Sequence, residues 1–462
     1  MNCKLGKLEI PADQPFLNCK LDREKYAKVL KAIITTYQKG FVLAIDGKWG
    51  TGKTTFVEMW KAYLELDNFQ TLYFNAWEND FISDPLVGLL GELKKINSPQ
   101  KTKELASSMI NTAGRIVLKA VPAMFKGVIK KHAGEEVIEV LCDCIEEGSS
   151  MLKKEIENYE SQKGSLQEFR KELEIFVDEV CEKKPLIFII DELDRCNPHY
   201  AVKVLERIKH LFNIPNIIFV LSIDKEQLSY SIRGYYGSES INANEYLKRF
   251  IDIEYALPEP DIEIFCKYLL DYFDFNTGFH HIQDQTSTID DLLVTAISIF
   301  KYKKLTLRQI EKVFTNIRLS LNMFSNRSNI YTDILCFLTY LRICESDCYQ
   351  KIVHREYTVQ DIIVQIEKIF PKQIFFLETR NDRNRRFYFT IALFLKCYTT
   401  TYFGQNYILL NYKDGIPFVN FKTNIINEKQ IIEALKWTDT KHDIRPLEYI
   451  TGKIDLLENL QI

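Results

Sequence analysis

The stretch from Phe41 to Glu58, FVLAIDGKWGTGKTTFVE, constrains the fold more than any other part of the chain. Its apolar run predicts a buried strand, and the following GKWGTGKTT fits the phosphate-binding pattern G-x-x-x-x-G-K-[ST]. In that pattern the glycines let successive backbone N–H groups point at phosphates, and the helix that follows places its positive end beneath them. The stretch therefore predicts a strand, a phosphate-binding loop and a helix, and with them a nucleoside triphosphate site.

Within this loop we assign ligand contact to eight residues: Gly47, Trp49, Gly50, Thr51, Gly52, Lys53, Thr54 and Thr55. Lys53 has the length to reach the β- and γ-phosphates, and the Thr54 hydroxyl is the expected ligand of Mg²⁺. ATP and Mg²⁺ are therefore the expected cofactors.

Composition limits the remaining function classes. The chain has 462 residues, which suits two or three domains, and a net charge of −3 gives no global attraction to nucleic acid or to an acidic membrane. Arg380–Arg386 is the one basic cluster in which a weak nucleic-acid contact could lie. Eleven scattered cysteines without zinc spacing predict reduced thiols and a cytoplasmic protein. No apolar stretch approaches the roughly 20 residues of a membrane span.

Further apolar runs predict the other strands of a parallel sheet: Thr71–Glu78, Leu186–Ile190, Asn216–Asp224 and Ile251–Ala256. Mostly helical stretches separate these runs. Together with the phosphate-binding loop they predict an α/β fold, a doubly wound parallel sheet of the P-loop NTPase type. Beyond Pro258 and Pro260 the periodicity predicts mostly helices, at 261–273, 287–300, 306–320, 328–344, 358–369 and 386–399.

Acidic residues follow the apolar strand Leu186–Ile190 directly. An acid at the carboxyl end of such a strand faces the ligand crevice of the sheet, so Asp191 is the candidate second ligand of Mg²⁺. Glu192 is the candidate base that activates water, with Asp194 as its rival. Arg195 is interpreted either as a structural partner of these acids or as a phosphate contact.

A long segment, about 97–165, interrupts the alternation of strands and helices. Its first part, from Lys101 to Lys131, has seven basic residues and one acid, and the part from Glu135 to Glu160 has nine acids and two lysines. Ile110–Val128 is apolar and predicted helical, but Arg115, Lys119 and Lys126 make it unsuitable as a membrane span. We consider two interpretations, a helical hairpin whose charges pair with each other, and a helix that binds a partner or a membrane surface.

The motifs in this order resemble the KAP family of P-loop NTPases. The matching pieces are GKWGTGKTT, LYFNAWEND, LIFIIDELDRC, IIFVLSIDKEQL and EYLKRFIDIEYALPEP, spread over residues 47–260, and the resemblance covers about 22–345. Members of this family often carry transmembrane helices in the long insertion, and many have two aspartates where this chain has Asp191 and Glu192.

The resemblance implies a sheet with its strands in the order fifth, first, fourth, third, second, followed by a helical bundle. It also implies three further site residues. Ser222 would be a sensor for the γ-phosphate or the water, Arg249 an arginine finger acting across a subunit boundary, and Arg308 a sensor arginine. Each arginine could equally form a surface or interdomain ion pair. The expected domains are a nucleotide-binding core at 1–258, a helical lid or bundle at 259–345, and a mostly helical C-terminal region at 346–462.

The expected function is Mg²⁺-dependent ATP hydrolysis that regulates the assembly or activity of partner proteins, a homo-oligomer included. The family resemblance implies a setting in bacterial defence against phage. The alternative is a nucleotide-gated scaffold with little turnover. Thr440–Asp443 (TKHD) fits a loose guanine-recognition pattern but follows a helical segment, so adenine is the expected base.

Overall fold

The computed structural model describes residues 5–37, 40–96, 107–109, 111–113, 151–181, 184–209, 214–280, 288–324, 331–376, 382–404, 407–439 and 446–456. They form two compact units, one of residues 9–259 and one of residues 1–8 with 260–462. Among the described helices, none combines the length and apolar character that a membrane span requires.

The unit of residues 9–259 contains a five-stranded parallel sheet with helices between its strands. Its elements are α1 (Glu24–Thr36), β1 (Phe41–Asp46), α2 (Lys53–Leu66), β2 (Thr71–Asn75), α3 (Pro85–Leu93), α4 (Met151–Val180), β3 (Leu186–Asp191), a 3₁₀ turn (Leu193–Arg195), α5 (Pro198–Lys209), β4 (Ile217–Ile223), α6 (Lys225–Tyr236), α7 (Ala243–Leu247) and β5 (Ile253–Ala256).

The strands lie in the order β2-β3-β4-β1-β5. This order confirms the prediction, and the α/β fold class is confirmed with it. Every neighbouring pair of strands is parallel. Their carboxyl ends, where the P-loop and the acidic residues begin, therefore lie along one edge of the sheet.

Both faces of the sheet are covered. Along β1, Val42 and Ala44 face a core that includes residues of α3, α4, α5 and α6, whereas Leu43 and Ile45 face a core that includes residues of α1 and α2. This alternation follows from the two-residue period of a strand. It explains why β1 is apolar throughout, because a strand buried on both faces has no solvent side.

Helix α4 (Met151–Val180) spans residue 165, near which the predicted insertion ends, and the bounds of the insertion stay a prediction. Phe169, Leu173 and Phe176 of this helix are buried in the core against the sheet, as are Met109 and Ala113. Residues 97–106, 110 and 114–150, with nearly all of Ile110–Val128, lie outside the described residues.

The second unit consists mainly of helices: α8 (Ile262–Tyr272), α9 (Phe275–His280), α10 (Ile289–Lys303), α11 (Leu307–Leu321), α12 (Thr332–Cys344), α13 (Ser346–Val353), α14 (Val359–Ile369), α15 (Gln373–Phe376), α16 (Asp382–Phe403), α17 (Glu428–Asp439) and α18 (Leu447–Asp455). Its last part contains, besides α17 and α18, an antiparallel hairpin of β6 (Leu410–Lys413) and β7 (Ile416–Val419).

Three helices of this unit begin at a threonine that caps them. Thr288, Thr306 and Thr358 each form a capping box with the residue three positions later, before α10, α11 and α14. Helix α10 packs against both α12 and α16, so elements on either side of residue 345 share one core. The separation of 259–345 from 346–462 stays a prediction.

Candidate functional site

The P-loop connects β1 to α2 and takes its shape from glycine conformations and from bonds to β4. Gly50 and Gly52 have φ angles of 72° and 82°, in the left-handed region that other residues enter only at a cost. The backbone N–H of Gly47 donates to the carbonyl of Ile223 (3.1 Å), and that of Trp49 donates to Asp224 Oδ2 (3.1 Å). The loop is therefore held against the end of the neighbouring strand.

A buried arginine binds the loop from its carbonyl side. Arg23, 3% exposed at the start of α1, donates to the carbonyls of Thr51 (2.7 Å) and Gly52 (2.9 Å). In a trans peptide the N–H and the C=O point in opposite directions. Because Arg23 binds the carbonyl oxygens of the loop, the N–H groups of the same peptides point away from Arg23. Burial lowers the pKa of Arg23, but a guanidinium stays charged in proteins.

Lys53 is the first residue of α2, and its side chain is buried. Its Nζ donates to the backbone carbonyls of Gly47 and Lys48, at 3.3 Å for Lys48. Burial lowers the pKa of this ammonium group, and nearby carboxylates, Asp194 foremost, oppose that change. The Nζ atom of Lys53 therefore lies over the start of the P-loop, where it could contact a bound anion. Thr54, the next residue of the helix, is half-buried.

Asp191 and Ser222 are paired in register at the ends of β3 and β4, and Ser222 is also paired with Ile45 of β1. The Tyr73 hydroxyl of β2 donates to Asp191 Oδ2 (3.0 Å), and burial raises the pKa of that tyrosine. Ser222 is fully buried, and its Oγ has no hydrogen-bond partner among the described residues. A buried, unpaired hydroxyl beside the P-loop suits a phosphate oxygen or a water molecule.

Glu192 has an unusual backbone and two side-chain partners. Its φ of 58° is in the left-handed region, which costs a residue with a Cβ about 1–2 kcal/mol. Its carboxylate accepts from Asn75 Nδ2 (3.4 Å) and pairs with Arg195 Nη1 (2.9 Å). Burial raises the pKa of Glu192, and Asp191 raises it further, while Arg195 opposes the change. This carboxyl therefore holds a proton more readily than a solvated glutamate.

Asp194 is 5% exposed and bound to the P-loop. Its Oδ2 accepts from the indole N–H of Trp49, and its Oδ1 has no partner among the described residues. Burial raises the pKa of this group, while the bond from Trp49 and the charge of Lys53 lower it. Asp194 thus connects the acidic turn to the P-loop.

Two further candidate residues are exposed arginines. Arg249 is exposed on the turn between α7 and β5, and Arg308 is exposed on the first turn of α11 in the second unit. Residues 440–443, the TKHD match, lie outside the described residues, as do the first two residues of the Arg380–Arg386 cluster. The proposed roles of Arg249 and Arg308 stay predictions.

The residues present fit a magnesium ion at the P-loop. Among the described residues, no three His, Cys, Asp or Glu side chains are grouped to form a metal site by themselves. Mg²⁺ at a phosphate site usually keeps water molecules and needs only one or two carboxylates besides the phosphates. Thr54 and Asp191 would hold it here.

Two residues in this site had no role in the sequence interpretation. Arg23 reaches the P-loop from 29 positions away, and Tyr73 reaches Asp191 from 118 positions away. Arg23 lies outside the quoted motifs, whereas Tyr73 lies within LYFNAWEND, a piece that was matched to the family without a role for its tyrosine.

Comparison with known proteins identifies the family. Residues 23–331 match the KAP family P-loop domain. A comparison with curated protein sequences gave no match. Among solved structures, the Aeropyrum pernix ORC2 protein in ADPNP–ADP complexes is 13% identical with a TM-score of 0.33, over 95% of this chain and 94% of that one. AMPPCP-bound DnaA from Aquifex aeolicus is 10% identical with a TM-score of 0.32, over 95% and 93%. Sequence identities and TM-scores this low do not establish a shared function.

Proposed function

The chain belongs to the KAP family of P-loop NTPases, and we propose that it binds and hydrolyses ATP with Mg²⁺ to control partner proteins. The observation that carries the proposal is the meeting of Lys53, Asp191 and Ser222 at the carboxyl edge of β1, β3 and β4. A cation, a carboxylate and an unpaired buried hydroxyl at the start of a helix are what a triphosphate requires.

In this proposal each polar group has one task. Lys53 and the N-terminus of α2 bind the phosphates, and Thr54 with Asp191 holds Mg²⁺, which neutralises phosphate charge. Tyr73 keeps Asp191 in place through its hydroxyl. Ser222 donates to a phosphate oxygen or to the water. Arg249 and Arg308 are proposed to supply positive charge, Arg249 from a neighbouring subunit.

We propose Glu192 rather than Asp194 as the base that activates water. Glu192 follows the proposed Mg²⁺ ligand Asp191 directly and is half-buried, whereas Asp194 is only 5% exposed. Asp194 is already bound to the indole of Trp49, which supports a role in shaping the P-loop.

The first test is substitution of the P-loop lysine. Lys53→Ala should lower the affinity for MgATP at least tenfold and abolish phosphate release, because a charge contact to phosphate is lost. Binding of MgATP and steady-state phosphate release measure the two effects. Lys28→Ala is the matched control, because Lys28 is exposed on α1 and pairs with Glu24. Unchanged phosphate release by Lys53→Ala would overturn the proposal.

One observation favours the alternative of a slowly hydrolysing scaffold. In that alternative, the ion pair between Glu192 and Arg195 keeps the carboxylate from water, and releasing Arg195 would raise turnover rather than lower it. The scaffold predicts tight MgATP binding with almost no phosphate release over many equivalents of nucleotide. A turnover of several molecules per minute would exclude it.

For the partner, we propose a protein that contacts the C-terminal hairpin. Ile416 and Phe418 lie on one face of this hairpin and are 69% and 39% exposed, which gives a partner an apolar contact. Co-purification with ATP or with ADP, compared between wild type and Ile416→Ser/Phe418→Ser, tests this. The biological setting that we propose, from the family resemblance, is defence against phage. Loss of phage resistance in cells carrying Lys53→Ala would support that setting.

A further inference from the structure

Arg195 lies between two tryptophans that come from different parts of the chain. Its guanidinium carbon is 5.9 Å from the ring centroid of Trp49 and 5.7 Å from that of Trp77. Both distances are within the range of a cation–π interaction. Trp49 belongs to the P-loop and Trp77 follows β2. We call these three residues the Trp–Arg–Trp stack.

Hydrogen bonds hold the ring of Trp49 and the backbone of Trp77. The backbone N–H of Trp49 donates to Asp224 and its indole N–H donates to Asp194. The backbone N–H of Trp77 donates to Asn75 Oδ1 (3.1 Å), which also accepts from the N–H of the next residue. The two residues are 41% and 50% exposed, so burial in a core does not account for their placement.

Arg195, the central residue of the Trp–Arg–Trp stack, pairs with the candidate base, Glu192. Arg195 Nη1 donates to Glu192 Oε1 (2.9 Å), and Arg195 is the one cation paired with this carboxylate among the described residues. The other contact of the carboxylate, from Asn75 at 3.4 Å, is long for a hydrogen bond. The position of Glu192 therefore depends mainly on where Arg195 is held.

We propose that Arg195, held by the ring faces of Trp49 and Trp77, is a positioning residue for Glu192. The inference rests on the proposed function, in which Glu192 activates water. It settles the two interpretations of Arg195 in favour of a partner of the acids. Because Trp49 is part of the P-loop, the stack also joins the base to the loop that binds the phosphates.

Removing one ring face would loosen the hold on Glu192. The ion pair with Arg195 is the close contact of this carboxylate, and the contact from Asn75 is long. A mobile Arg195 would leave Glu192 without a fixed position beside the water that it activates. Turnover would then fall, while nucleotide binding by the P-loop would change little.

The test compares Trp77→Leu with Trp77→Phe. Leucine removes the π face, whereas phenylalanine retains one. We expect Trp77→Leu to lower kcat for MgATP about tenfold, with KM changed less than twofold. Trp77→Phe should recover most of the loss in kcat. Phe81→Leu is the control, because Phe81 is 73% exposed on the same segment. An unchanged kcat in Trp77→Leu would overturn the proposal.

A second measurement needs no turnover. In nucleotide-free protein labelled with ¹³C at glutamate carboxyls, the signal absent from Glu192→Gln identifies Glu192. At one fixed pH, its chemical shift should differ from wild type in Trp77→Leu and in Arg195→Gln, because the ion pair is loosened or lost, and stay close to wild type in Trp77→Phe. Equal chemical shifts in wild type and Trp77→Leu would refute the positioning role. If wild type hydrolyses no ATP, the proposed function fails while this measurement still decides the role of Arg195.

Discussion

Asp191, Glu192 and Asp194 are three carboxyls within four residues, and their surroundings differ. Asp191 accepts a hydrogen bond from Tyr73, Glu192 pairs with Arg195, and Asp194 is bound to the indole of Trp49. Burial raises the pKa of both Glu192 and Asp194. The pKa values therefore do not separate base from structural acid, and the hydrogen-bond partners must do so.

Exchange of the two acids for their amides tests this assignment. Glu192→Gln should bind MgATP with near wild-type affinity and hydrolyse it 10²–10⁴-fold more slowly, because an amide cannot accept the proton of water. Asp194→Asn should instead weaken nucleotide binding, because Trp49 loses its charged acceptor. Single-turnover hydrolysis and equilibrium binding separate the two effects. If Asp194→Asn traps bound ATP and Glu192→Gln turns over normally, then Asp194 is the base.

The site could be predicted from the sequence where one local motif defines a position. Lys53, Thr54 and Asp191 follow from the P-loop pattern and from an apolar strand that ends in an acid. Arg23 could not be found in this way, because its helix start, LDREKY, looks like any exposed amphipathic helix. Its burial arises only when α1 packs beside the P-loop.

At the scale of elements, helix α3 shows how closely a helix approaches the sheet. A Cβ added to Gly88 would lie 2.7 Å from Cε2 of Phe74, a ring that is 1% exposed on β2. A Cβ added to Gly91, one turn further along the same helix, meets no atom within 4 Å among the described residues. Gly88 thus permits close packing, and Gly91 does not serve that purpose.

These two glycines give opposite predictions for one substitution. Gly91→Ala should stabilise the protein by about 0.5–1 kcal/mol, because alanine is the better helix former. Gly88→Ala should destabilise it by about 1–3 kcal/mol, because the buried ring of Phe74 must move. Denaturant unfolding of both variants measures the difference. If Gly88→Ala were as stable as Gly91→Ala, the ring would have room that the structure does not show.

Element prediction succeeded for long apolar or amphipathic runs and missed short ones. Strand β1 was identifiable because five consecutive apolar residues precede the P-loop. The hairpin of β6 and β7 was missed because each strand has four residues. Its turn signal was present, since Asp414 and Gly415 form the Asp-Gly pair typical of tight hairpins, with φ angles of 51° and 80°.

At the scale of the whole molecule, the second unit has a carboxylate that joins distant segments. Glu367 of α14 is 7% exposed and accepts hydrogen bonds from the backbone N–H groups of Asn424, Ile425 and Ile426. Burial alone would raise the pKa of Glu367, but these N–H groups favour the charged form and the pKa lies below its usual value. The loop before α17 is thereby attached to α14.

Glu367 should make stability depend on pH in the acid range. Its pKa is lower in the folded than in the unfolded chain, so its contribution is complete above the unfolded value and is lost as pH falls through the folded one. Glu367→Gln should cost about 1–3 kcal/mol of unfolding free energy at pH 7 and less near pH 4. Urea unfolding at both pH values checks this. Glu448→Gln, at an exposed ion pair with Arg355, is the control. An equal loss at both pH values would contradict the role of the charge.

The charge-segregated segment could be recognised from the sequence, but its relation to the core could not. The alternation of strands and helices predicted an interruption at about 97–165. That Met109 and Ala113 are 1% and 0% exposed in the core depends on their contacts with the sheet, which no local pattern encodes. An internal deletion that begins at residue 100 would therefore remove Met109 and Ala113 from the core together with the charged residues of the segment.

The strand order also determines when, during translation, the sheet can be completed. Strand β1 has β4 and β5 as its two neighbours, and both are synthesised after residue 216. Throughout the translation of the insertion, the nascent chain carries β1 as an apolar strand with neither edge paired. Long-range parallel pairing of this kind is slow and leaves the growing chain prone to aggregation. We therefore expect the yield of this protein to rise with chaperone capacity, because β1 stays unpaired until β4 and β5 have been synthesised.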